Sequence, residues 1–79
     1  MKRYSKEIVK QIIDSTIYTH LNKYIIEEIV NNKKFNLEIL VNDIVVDLID
    51  NKEIISPNYR SILKDIISME IKNNYQTII

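Results

Sequence analysis

The segment LEILVNDIVVDLI, residues 37–49, sets apolar side chains at Leu37, Leu40, Val41, Ile44, Val45, Leu48 and Ile49. That i, i+3, i+4, i+7 recurrence is the signature of a helix and opposes the period of two that a strand would show. At 100° per residue these side chains cover about 180° of the helix, wider than the ~100° stripe that a surface helix needs. Ile39 and Val46 fall outside even that sector. Asp43, Asp47 and Asp50 share the remaining polar wedge. A chain of 79 residues is one domain at most, and it buries only roughly 60–65% of the surface it exposes unfolded. The breadth of the apolar sectors therefore constrains the fold more tightly than any motif.

The same spacing recurs along the chain, and an all-α fold of four short amphipathic helices is predicted. The first spans about 6–14, with Ser5 as N-cap, Tyr4 and Val9 as a hydrophobic staple, and a stripe of Ile8, Val9, Ile12 and Ile13. The polar and β-branched run DSTIYT, residues 14–19, is expected to end it. The second spans about 20–30 after a weak Thr19 cap, with Leu21, Tyr24, Ile25, Ile26, Ile29 and Val30 over more than half its circumference. The third covers 37–50, capped by Asn36 and stapled by Phe35 and Leu40. The fourth covers 57–73, with Ser56 as cap and Pro57 at the first helical position. Its sector, which includes Met69 and Ile71, approaches 200° by the same projection. Residues 74–79 read as a frayed tail. The chain has no glycine, so Asn31 or Asn32, Asn51, and Asn73 or Asn74 are the expected left-handed C-caps.

Short helices cannot all point sectors this wide into one small interior, and surplus apolar surface on a soluble protein marks a binding site. The expected arrangement is open and curled, wrapping an amphipathic helix of a second protein. The partner-facing residues are Tyr24, Ile26 and Val30 from the second helix, Ile39 and Val46 from the third, and Met69 and Ile71 from the fourth. Codon bias toward Ile, Asn, Lys and Tyr is the competing source of surface isoleucines.

Other chemistry finds little footing. There is no cysteine for a disulfide or thiolate metal site. His20 is the single histidine, has no carboxylate three or four residues on, and reads as a surface residue. The aspartate wedge at 43, 47 and 50 reads as a solvated face. Ser5, Ser15, Ser56, Ser61 and Ser68 have no paired base, and no Gly-rich loop could cradle a phosphate. No catalytic activity, cofactor or metal is therefore expected. The 11 basic and 11 acidic residues cancel, which argues against direct nucleic-acid binding. The alternative is a self-associating helical protein that binds nucleic acid through Lys6, Lys10, Lys23, Lys33 and Lys34, and homo-oligomers are compatible with either reading. No apolar run is long enough to span a membrane, and MKRYSKEIVK lacks the apolar core of a secretory signal, so a soluble intracellular protein is expected.

Three stretches together resemble one known family, the enhancer of yellow 2 family of small helical transcription and mRNA-export factors. KEIVKQIID at 6–14 looks like that family's second helix, and LNKYIIEEIVNNK at 21–33 like its third. VNDIVVDLIDNKEIISPNYRSILKDII at 41–67 looks like the fourth helix, a polar connection and a Pro-initiated fifth helix. The family's first helix has no counterpart beyond residues 1–4, Ile17 and Tyr18 stand where it has a Gly-Trp-like turn, and the connection at 50–55 lacks its glycine. The resemblance implies a nuclear adaptor whose helices hold one long helix of a scaffold, in the nuclear-pore-associated mRNA-export complex or the deubiquitinase module of the SAGA coactivator.

Overall fold

The computed structural model describes residues 4–31 and 36–74. Among them the regular structure is entirely helical, as expected, but it forms three α-helices rather than four. They are α1, Lys6–Asn31; α2, Leu37–Val46; and α3, Arg60–Asn74. A wide π-helical turn, Asp47–Asn51, continues α2, and a 3₁₀ turn, Pro57–Tyr59, leads into α3.

The largest departure from expectation is that residues 6–14 and 20–30 belong to one helix of 26 residues. At 1.5 Å per residue α1 is about 39 Å long, which accounts for the molecule's 40 Å long dimension. Two things carry the helix through DSTIYT. The hydroxyls of Thr16 and Thr19 donate to the carbonyls of Ile12 and Ser15, at 2.7 and 2.9 Å, so these polar side chains are satisfied on the helix itself. Thr16 and Ile17 are also buried, so tertiary packing overrides a weak local preference.

The helix starts follow the sequence closely. The Ile8 N–H donates to Ser5 Oγ at 3.2 Å, and the Ile39 N–H to Asn36 Oδ1 at 3.3 Å. Ser56 caps the last element through the Asn58 N–H at 3.4 Å, with Pro57 directly after it. The expected Phe35 staple and the Asn32 cap lie outside the described residues, as does the tail beyond Asn74. Asn31, Asn51, Asn73 and Asn74 all lie within helical turns. Among the described residues, the left-handed position falls to Glu53, at φ 52°. There the Lys52 N–H donates to Asp47 O at 2.8 Å and the Ile54 N–H to Leu48 O at 3.0 Å. The arrangement is a Schellman-like C-terminus widened by the π turn.

α2 is the hub, packing against both α1 and α3. Ile17 and Leu21 of α1, Leu40, Val41, Ile44, Val45, Leu48 and Ile49 of α2 and its π turn, and Leu63, Ile67 and Ile71 of α3 form one core. The helical run of residues 37–51 thus spends its broad apolar sector on two neighbours at once, which is why that sector had to be so wide.

Candidate interaction surface

Two kinds of surface stand out: a polar seam that fastens α1 to α2, and apolar side chains that the core leaves outside. In the seam, the Tyr24 hydroxyl donates to Asp43 Oδ2 at 2.9 Å, His20 Nε2 meets Asp47 Oδ2 at 2.9 Å, and Lys52 Nζ donates to Thr16 Oγ1 at 2.6 Å. As the α1 number falls from 24 to 16 its partner's number rises from 43 to 52, so the helices run antiparallel. Lys52 also lies 3.6 Å from Asp47, and Arg60 holds both carboxylate oxygens of Asp50 at 3.0 and 3.2 Å.

The aspartate wedge is exposed at Asp43 and Asp50, as a solvated face requires, and half-buried at Asp47, but all three carboxylates are engaged. Asp43 and Asp47 bond α1, and Asp50 bonds the start of α3. His20, expected as a surface residue, is half-buried instead: its side chain is only 21% exposed and is paired with Asp47. The His20 hydrogen bond holds the Asp47 carboxyl below its ordinary range, against an upward push from burial. Burial, reinforced by the bond to Asp43, pushes the Tyr24 phenol up to about 12. Among the described residues no cluster of three or more His, Cys, Asp or Glu side chains is placed to hold a metal ion. An open cleft of about 760 Å³ lies between Tyr4 and the 49–57 segment; of its charged linings Asp50, Lys52 and Glu53, the first two are already engaged with Arg60, Thr16 and Asp47.

The expected partner-facing residues divide into three groups. Ile71 is fully buried and belongs to the chain's own core, where it packs with Leu63 and Ile67. Tyr24 is half-buried against that core and bonded to Asp43. The remaining five are outside: Ile26 is 59% exposed, Val30 72%, Ile39 50%, Val46 41% and Met69 62%. Ile26 is nine residues from the buried Ile17, about half a turn round α1, so it points directly away from the core. Ile39 and Val46, seven apart, form one outward ridge on α2.

The sequence reading missed part of this surface. Ile29 is the most exposed large apolar residue of α1, and Tyr59, Ile62 and Ile66 are exposed on or next to α3. Their signal was present in the near-200° sector of the fourth predicted helix, which could not all face one neighbour. Choosing which half faces outward required the position of α2.

Among the described residues no helix is long and apolar enough to cross a membrane. No family model, no curated protein and no solved structure matches the chain.

Proposed function

We propose that this protein is a non-catalytic helical adaptor that docks an amphipathic helix of a larger scaffold protein against the outer faces of α1 and α2. The observation that carries the reading is the exposure of Ile26, Val30, Ile39 and Val46 while a full set of other apolar side chains already fills the core. Four- and seven-residue spacings on these helices offer ridges that the apolar seam of another helix can straddle. Because Ile26 points away from Ile17, the partner lies along the outside of the helices rather than in a central groove. Met69 belongs to a different face, on α3.

Covering a large aliphatic side chain completely contributes about 1.5–3 kcal/mol, so these half-covered ones add roughly 1 kcal/mol each. Association costs at least about 4 kcal/mol, so the partner must also cover neighbours such as Ile29 to bind stably. The resemblance to the enhancer of yellow 2 family supports placing the scaffold in a nuclear coactivator or mRNA-export complex. The turn which that family has between its second and third helices is continuous helix here.

Asn42 is exposed and lies between Ile39 and Val46, so a photoreactive residue there reports on whatever covers the ridge. In cells that express the full chain, light should cross-link it to one protein, within a segment of heptad-spaced apolar residues. A synthetic peptide of that segment should bind the purified chain and raise its melting temperature. Absence of light-dependent capture, or capture unchanged by Val46→Glu, would reject the reading.

A further inference from the structure

α3 and the 3₁₀ turn that leads into it carry two apolar stripes. Leu63, Ile67 and Ile71 recur every four residues and are buried. Tyr59, Ile62, Ile66 and Met69 follow at intervals of three, four and three and are 56%, 57%, 54% and 62% exposed. That second spacing is the a–d seam of a heptad repeat. Its centre lies about 120° round the helix from the buried stripe, so it presents a separate ridge.

We propose that this ridge pairs antiparallel with the same ridge of a second copy of the chain, with Asp65 of each copy facing Lys72 of the other. Helix length and charge together select this occupant and this register. α3 runs from Arg60 to Asn74, so its midpoint is Ile67. A two-fold axis between Ile67 and Ser68 overlaps the two helices over residues 61–74, all of α3 but Arg60. It sets Ile66 against Met69 of the second copy, Met69 against Ile66, and Ile62 against Asn73.

In an antiparallel heptad pair, the positions preceding each a residue meet one another across the seam. Asp65 and Lys72 occupy two such positions, seven apart. Both are exposed, and among the described residues neither takes part in an ion pair. In this register opposite charges meet twice per dimer. A slip of one heptad, centred on Lys64, would match Tyr59 with Met69 and Ile62 with Ile66, but within α3 it would pair only residues 60–68. It would also oppose Asp65 to Asp65 and run the last turn of α3 past the start of the other helix. A parallel pair would oppose Asp65 to Glu70. The charges thus disfavour both alternatives, and a single ridge of this length makes a transient, concentration-dependent dimer. The pairing uses α3 alone and is independent of docking on α1 and α2.

Sedimentation velocity on the purified full chain, from micromolar to millimolar concentration, tests this directly. The expected result is a reversible rise from monomer mass to dimer mass and no further. Ile66→Glu should keep the helical circular-dichroism spectrum and stay monomeric. Asp65→Lys or Lys72→Asp alone should weaken the dimer roughly tenfold, because two attractive contacts become repulsive. The double variant D65K/K72D should restore it. A chain that stays monomeric throughout, an open-ended aggregate, or a dimer indifferent to the charge exchange would overturn the proposal.

Discussion

Replacing Asp47 with alanine removes the centre of the α1–α2 seam. Its carboxylate meets His20 at 2.9 Å, accepts from Asn51 at 3.4 Å and lies 3.6 Å from Lys52. A hydrogen bond to an ionised group contributes about 1.5–3 kcal/mol when shielded from water. The two side chains are 21% and 22% exposed, so solvent screening cuts the His20 contribution to roughly 1 kcal/mol. The two longer contacts add a few tenths each, for a total near 1.5 kcal/mol. For a domain of this size that lowers the melting temperature by about 6–12 °C. The same loss has an acid signature. A carboxyl held below its ordinary pKa stabilises the fold fully above the unfolded value of 3.8 and loses that contribution as pH falls through the folded value. The gap between Asp47→Ala and the parent chain should therefore stand at its full value above about pH 4 and close as the pH falls further. Thermal melts of Asp47→Ala, His20→Ala and the double variant measure the coupling directly, with about 1 kcal/mol expected. Additive single effects, or a cost for Asp47→Ala under ~0.5 kcal/mol, would refute the role given to this seam.

Further consequences can be checked by the same melts. Ile17→Ala, at a site where the sequence suggested a helix break, should cost about 2–5 kcal/mol because Ile17 is 1% exposed within the core; a loss under ~1 kcal/mol would mean α1 does not run continuously through it. Tyr24→Phe should flatten the alkaline side. A phenol raised to about 12 keeps its full stabilisation below the unfolded pKa of 10 and loses it as pH climbs toward 12, so the parent chain alone should show that component. Glu53→Gly should stabilise by about 0.5–1 kcal/mol, since relieving a left-handed non-glycine residue gains roughly 1–2 and the freer unfolded chain gives back roughly half.

What the sequence made legible follows from the range over which each determinant acts. Caps are local, and Ser5, Asn36 and Ser56 each accept the bond that their position implied. The spacing of apolar residues in 37–49 is also local in effect, and it located both the helical run and its burial. The continuity of α1 is different, because Ile17 is held in the core with residues of α2 and α3, and Lys52, thirty-six positions from Thr16, donates to its hydroxyl. No window short enough to judge DSTIYT contains those partners. The end of the helical run was legible to within one residue, but its left-handed position was misplaced: an asparagine at 51 is locally favoured, and the π turn carries the chain two residues further, to Glu53. For the candidate surface, the surplus of apolar side chains could be read without coordinates. Its assignment to particular residues could not, and Ile71 and Met69, two positions apart on α3, ended on opposite sides of that division.

The variant Ile26→Glu, Val30→Glu, Ile39→Glu and Val46→Glu combined, carrying the photoreactive group at position 42, puts the two halves of the account into one measurement. All four side chains are at least 41% exposed, so the variant should fold with less than about 2 kcal/mol lost in total, while light-dependent capture of a partner disappears. Loss of the folded state would place these side chains in the chain's own core, and undiminished capture would show that the partner binds elsewhere; either result contradicts the account.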